Sequence, residues 1–517
     1  MKSRAIATAL AVIVLLPVTA CGGAGDTGGA DTRPAPSSAQ AAPSPAREQD
    51  SAEAADRTAG ATAEAPAENE AAENTGEDSA RLRDTATEQV STFALDVDTA
   101  SYGYSRRTLR EGRLPDPGQV RPEEFVNAFR QDYAEPEEDG FTVHMDGARG
   151  PGDGTALLRV GLQTRGADPE ARRPANLTFV VDVSGSMAEP GRIDLVRNAL
   201  HKLIDQLGPD DQVSIVAFSS SAEVIQSMTP ATDWNRLHAA VERLAVQAST
   251  NLEAGLTAGY AEAARGFRPM ATNRVILLSD GLANTGDTSW QGILDRVEES
   301  AGKKITLLCV GVGRDYGDQL MEQLADNGDG AAVYVSSVDD ARKVFVERLA
   351  TNLDLRARDA KAQVVFNPST VESYRLIGYE NRRIAAEEFR DDAKDGGEIG
   401  PGHSVTALYE VRLRSGASGR LATATVRWQD PDTRAPSEAG RSLEIGALAE
   451  SLWDGPPPRF QVDVVAAVFA EYLRTREPAA ELGPAELSGH ATRLAAATED
   501  AAVGELARLI DRAASLG

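Results

Sequence analysis

Asn176-Leu177-Thr178-Phe179-Val180-Val181-Asp182-Val183-Ser184-Gly185-Ser186 is the stretch on which the reading of this chain turns. Leu177 to Val181 form a short apolar run, and a strand that is apolar on both faces belongs inside a sheet covered on both sides. The run ends in a carboxylate and two hydroxyls at alternate positions. In open α/β sheets, ligands bind at the carboxyl ends of the strands.

Outward from this strand, apolar runs alternate with amphipathic helices. Arg192 to Leu207 reads as a helix, with Ile193, Val196, Leu200, Leu203, Ile204 and Leu207 on one face. Val213–Phe218 and Glu223–Gln226 read as strands, followed by helices at Trp234–Leu244 and Leu252–Ala264. Val275–Leu278, Ile305–Val310 and Val333–Val335 are further strands, interleaved with helices at Ile293–Ala301, Asp318–Ala325 and Asp339–Leu349. Such alternation predicts an α/β unit with a doubly wound, mostly parallel sheet over residues 173–350.

On either side the pattern changes. Order is expected to begin near Ser91, with helices around Ser101–Glu111 and Pro122–Phe129 and strands at Phe141–Met145 and Ala156–Thr164. These make an N-terminal region, 89–172. Residues 351–455 read as β-rich and sandwich-like, with strands at Lys361–Phe366, Ser373–Tyr379, Val405–Leu413, Ala422–Trp428 and Ser442–Ile445. Residues 456–517 form a C-terminal helical region, with helices at Phe460–Leu473 and Glu499–Leu516. The β segments before and after the α/β unit are candidates for one sandwich that carries this unit as an insertion.

The N-terminus carries an address. Lys2 and Arg4 precede an apolar run, Ala5–Leu16, too short to span a bilayer and suited to a secretory signal peptide over residues 1–20. Val18-Thr19-Ala20-Cys21 resembles a bacterial lipobox, which implies lipidation at Cys21 and a place on the extracytoplasmic face of the cell membrane. Residues 21–88 are rich in Ala, Pro, Gly, Ser, Thr, Asp and Glu, and cannot bury enough apolar surface to offset ordering. As a flexible tether they span roughly 45 Å root-mean-square. The other cysteine, Cys309, lies in an apolar run and reads as a buried strand thiol. A net charge of −26 makes nucleic acid a poor partner and leaves the lipid as the expected membrane contact.

Three positions near the carboxyl ends of strands supply oxygen: Asp182, Ser184 and Ser186 after the first strand, Thr250 in the loop before a helix, and Asp280 after Val275–Leu278. Two carboxylates and three hydroxyls make a hard, all-oxygen set suited to Mg²⁺ or Mn²⁺, or to Ca²⁺ with looser geometry. Because the hydroxyls are neutral, they leave the ion electron-poor and receptive to an outside carboxylate.

This arrangement resembles the metal-ion-dependent adhesion site of von Willebrand type A domains, whose fold is a Rossmann-like doubly wound sheet. The resemblance implies that the serines and the threonine ligate the ion directly or nearly so. It also implies that the aspartates act partly through water and that a partner's Glu or Asp completes the shell. Ser91–Tyr102 and Arg121–Asn127 are similar to the N-terminal region of a group of bacterial von Willebrand type A lipoproteins, in which a C-terminal domain of unknown function follows. The function so implied is that of a lipid-anchored, extracytoplasmic protein-binding module that grips an acidic group of a partner through its metal. The alternative is a structural or assembly factor of the cell envelope in which the metal only stabilises.

Other signals point elsewhere. Asp96-Val97-Asp98-Thr99 mimics the nucleophile loop of haloacid dehalogenase-type phosphatases, but the next 70 residues lack the alternation that fold needs. Gly311-Val312-Gly313 followed by Gly317 places its third glycine one position late for a dinucleotide fingerprint. His144, His201, His238, His403 and His490 are scattered, with no paired helical spacing for zinc. No nucleophile elbow surrounds Ser184 or Ser186, and there is no P-loop sequence. The reading is therefore of a binding protein without enzymatic activity.

Overall fold

The computed structural model describes residues 81–517, apart from 96, 168–172, 190, 281–289, 302, 314–320, 322–323, 326, 329, 336–341, 343, 346–354 and 479–481. The chain enters through β1 (Arg83–Asp84), β2 (Val90–Ala94), α1 (Ala100–Arg110), α2 (Pro122–Asn127), β3 (Phe141–Arg149) and β4 (Thr155–Thr164). Order thus starts before Ser91: β1 pairs with Tyr374 and Ser373, and the buried Thr85 hydroxyl donates to the Val371 carbonyl at 2.7 Å. The polar tether composition hides this short edge pairing.

The α/β unit follows, with β5 (Ala175–Asp182), α3 (Arg192–Ile204), β6 (Gln212–Phe218), β7 (Ala222–Pro230), α4 (Trp234–Val241), α5 (Leu252–Arg265), β8 (Thr272–Ser279), α6 (Trp290–Ala301), β9 (Ile305–Val312) and β10 (Ala331–Val335). Its six-stranded sheet has the order β10-β9-β8-β5-β6-β7, parallel except for β7, which returns antiparallel along β6. The first strand is wholly buried, as its apolar run requires, and its side chains divide by the period of two. Leu177, Phe179 and Val181 join the core under α3 and α4, whereas Val180 joins the core under α5 and α6. Gly259 lets α5 lie close on β5, because a Cβ there would stand 2.2 Å from Val180 Cγ2. The helices expected at 318–325 and 339–349 fall largely outside the described residues.

After the insert come β11 (Ala357–Phe366), β12 (Val371–Ile377), β13 (Gly397–Ile399), β14 (Ser404–Leu413), β15 (Arg420–Gln429) and β16 (Pro436–Glu444), then α7 (Pro458–Thr475), α8 (Pro484–Thr498) and α9 (Ala501–Ala514). The strands on the two sides of the insert interleave. One sheet runs β1-β12-β14-β4-β3, and the other runs β13-β11-β15-β16 with β2 also paired to β11. Both sheets contribute to a single core containing Phe93, Met145, Val364, Tyr374, Tyr409 and Val426. The partition into 89–172, 351–455 and 456–517 therefore gives way to one body. α1 and α2 share a second core with α7, α8 and α9 and with Ile377 and Leu408 of the first sheet.

The sequence reading cuts β16 short at Ser442 and passes over α8, each for a physical reason. β16 extends back to Pro436, and this edge strand is almost wholly exposed, so it has no apolar alternation to detect. α8 lies within the Ala-rich segment, where Leu487, Ala491 and Leu494 make its buried stripe and alanine itself favours the helix.

Candidate metal centre

β5 and β8 are neighbours in the middle of the sheet, and their carboxyl ends bring Asp182 and Asp280 together. At the end of β5 the chain turns back at once. The Ser184 N–H donates to Asp182 Oδ1 at 2.8 Å, and the Ser279 hydroxyl donates to Asp182 Oδ2 at 2.6 Å. Asp182 is fully buried. Burial pushes its carboxyl above the ordinary range, while the bonds from Ser279 and Ser184 oppose that shift.

From Asp182 a chain of oxygens leads toward solvent. Ser184 Oγ lies 3.0 Å from Ser186 Oγ, and the Ser186 hydroxyl donates to Asp280 Oδ1 at 2.7 Å. Ser184 and Asp280 are buried, whereas Gly185 and Ser186 are exposed, so the group is open on one side. Thr250 is buried in the loop that closes beside it. The Gln247 N–H of that loop donates to the Val183 carbonyl at 2.6 Å, and the Asn251 N–H donates to the Ser219 carbonyl at 2.6 Å. Ser249, next to Thr250, takes a φ of 68°, a left-handed conformation that the loop bonds must hold in place. Gly281, which follows Asp280, lies outside the described residues, as does Cys21.

Arg192, the first residue of α3, has a role that the sequence reading missed. Its buried guanidinium pairs with Asp280 Oδ2 and, at 2.6 Å, with Glu189. Gly313 makes room for it, because a Cβ there would stand 2.8 Å from Arg192 Nε, and the φ of +109° suits glycine. Asp182, Asp280 and Glu189 against this one cation leave a net charge of −2 around the hydroxyls. A basic residue eight positions after a strand-end Ser-Gly-Ser motif begins carries no signal of its own in a single sequence.

The residues fit a small, hard divalent cation. Neutral oxygens from Ser184 and Ser186 touch each other and a carboxylate from a second strand, and a buried carboxylate whose negative form burial disfavours backs the group. Among the described residues another acidic group, Asp359, Asp395 and Glu398, lies in the sandwich on and beside β11 and β13. Asp359 there already pairs with Arg434 at 3.2 Å.

The remaining candidates are accounted for differently. Asp98 is buried 4.0 Å from Arg382, and Asp96 lies outside the described residues. Gly311 lies in β9 against the Tyr334 ring, and Gly313 makes room for Arg192. Cys309 is a buried thiol on β9. The histidines are less scattered than their sequence positions indicate: His201 on α3 meets His238 on α4. The contact runs between two helices, so no spacing within one helix reveals it.

An α/β sheet bearing this strand-end oxygen set defines a von Willebrand factor type A domain, and the family profile of that name matches residues 176–352. A profile described as von Willebrand factor matches 68–159, and one described as the C-terminal part of the uncharacterized protein YfbK matches 351–422. Residues 176–352 are thus a von Willebrand factor type A domain, with the other two matches on either side of it. It is 33% identical to the uncharacterized protein YfbK of Escherichia coli (strain K12) over 342 residues, 64% of this chain and 60% of that protein. To human inter-alpha-trypsin inhibitor heavy chain H4 it is 27% identical over 52% of this chain and 28% of that one. A solved structure, von Willebrand factor type A from Catenulispora acidiphila, covers 72% of this chain and 89% of its own at 15% identity and a TM-score of 0.43.

Proposed function

We propose that the protein is a lipid-anchored, extracytoplasmic binding module whose type A domain holds Mg²⁺ and grips an acidic side chain of a partner protein. The observation that carries this reading is the connected oxygen set of Asp182, Ser184, Ser186 and Asp280, with Thr250 in the adjoining loop. A divalent ion offsets the net charge of −2 left by Asp182, Asp280, Glu189 and Arg192. The neutral hydroxyls leave the ion electron-poor on the open, Ser186 side, which favours a carboxylate from outside over a neutral group. Mn²⁺ or Ca²⁺ would serve with the same donors.

Arg192 contributes in a second way. By pairing with Asp280 Oδ2 it leaves Oδ1 to accept from the Ser186 hydroxyl. Membrane attachment through Cys21 and the tether would carry the open face tens of ångströms from the bilayer.

The experiment is crosslinking in intact cells with and without chelator, with wild type compared to Asp182→Ala. Capture of one protein that is lost both on chelation and in the variant is expected. Capture insensitive to both would assign the contacts to the flanking body and make the ion a stabiliser only.

A further inference from the structure

His201 and His238 meet through their Nδ1 atoms at 2.6 Å. Their ring centres are 4.8 Å apart and their planes differ by 29°. With the nitrogens that close, each Nδ1 lies near the line joining the ring centres. The rings therefore meet edge to edge, and their Nδ1 lone-pair directions oppose one another.

The other two nitrogens face carboxylates. His201 Nε2 lies 2.9 Å from Glu242 Oε1, and His238 Nε2 lies 3.1 Å from Asp205 Oδ1. An ionised carboxylate only accepts, so both Nε2 atoms carry protons. Two Nδ1 atoms at 2.6 Å can be neither both bare nor both protonated, so they share one proton.

This is the arrangement of metal-binding histidines, in which a carboxylate fixes one ring N–H and the other nitrogen faces the ion. We propose that His201 and His238 form a second metal site, for a transition-metal ion such as Zn²⁺, Ni²⁺ or Cu²⁺. The ion takes the lone pairs of both Nδ1 atoms, and the shared proton leaves to solvent. Metal–nitrogen bonds of about 2.0–2.1 Å in tetrahedral geometry place the two nitrogens about 3.3 Å apart, so the rings must part by roughly 0.7 Å and each turn by roughly 35° for their opposed lone pairs to converge on the ion. Side chains with 26% and 23% of their surface exposed can make that tilt. The remaining coordination positions fall to water.

Neutral imidazole nitrogens select these ions over Mg²⁺, which keeps the pair chemically separate from the oxygen set. Both sites touch α3, with Arg192 at its start and His201 nine residues later, about 13 Å along the axis.

The full chain is titrated calorimetrically with Ni²⁺ in saturating Mg²⁺, in two buffers of different ionisation enthalpy. One Ni²⁺ per chain and release of one proton are expected. His201→Gln and His238→Gln, each checked by far-UV dichroism, should lower the affinity roughly tenfold or more. Glu242→Gln alters an exposed residue and keeps both Nδ1 atoms, and it should weaken binding by about tenfold. Ni²⁺ uptake unchanged in both histidine variants, or no uptake by wild type at millimolar Ni²⁺, would overturn the proposal and leave a shared-proton hydrogen bond alone.

Discussion

The inserted α/β domain and the body that surrounds it in sequence are stabilised by different means. The insert draws its two cores from residues 175–345, so its contacts are made within one continuous stretch. The body joins strands from 83–164 to strands from 357–444 in the same sheets and places α7, α8 and α9 against α1 and α2. The insert's core clusters share no residue with those of the body. Among the described residues the two are joined by polar contacts, including the Arg173–Asp432 ion pair and a 3.4 Å bond from Lys304 Nζ to the Asp432 carbonyl. An element that carries its own cores can be inserted without rewriting the fold around it.

The comparison breaks most visibly at Asp463. This wholly buried carboxylate on α7 accepts from Arg159 of β4 at 2.8 Å and from Gln131 at 2.7 Å, tying the helices to the sheet. Asp463→Ala leaves a buried guanidinium short of a partner and should cost the body about 3–5 kcal/mol in urea unfolding. Metal binding by the insert should not change.

Acidity acts on the same residue with a definite sign. Burial pushes the Asp463 carboxyl up to about 6, so between its unfolded value near 4 and pH 6 the folded protein binds the extra proton. Its contribution to stability is full below about 4 and is lost as pH rises through 6. The stability of wild type relative to Asp463→Asn, measured by urea unfolding, should therefore fall between pH 4 and 7. A gap that is flat with pH would contradict this assignment.

In the insert the corresponding test is Gly259→Ala, which drives a methyl group onto Val180. Overpacking of this kind should cost about 1–3 kcal/mol and lower the melting transition of the insert while sparing the body. The smallest effect belongs to the joint. Arg173→Ala removes an exposed pair and should change stability by less than about 1 kcal/mol. A large loss in both regions would mean that they unfold as one unit.

Legibility in the sequence follows the same division. Asp182, Ser184, Ser186 and Asp280 could be read because strand ends and short spacings are local, and the structure brings these four together. The place of Arg192 depends on the Gly313 turn more than 100 residues away, and the His201–His238 contact on the packing of two helices. In the body, the strand pattern was visible, but pairings such as Val364 with Ser91 span 273 positions and leave no local trace. α8 is hidden by its alanines, and the first six residues of β16 by their exposure.

The measurement closest to the central claim is a calorimetric titration of the full chain with Mn²⁺, wild type against Asp182→Ala, with Ser184→Ala as a second variant. One ion per chain held by wild type, displaced by Mg²⁺ and lost in Asp182→Ala, is the predicted result. Equal uptake by wild type and Asp182→Ala would contradict a metal centre at the end of β5.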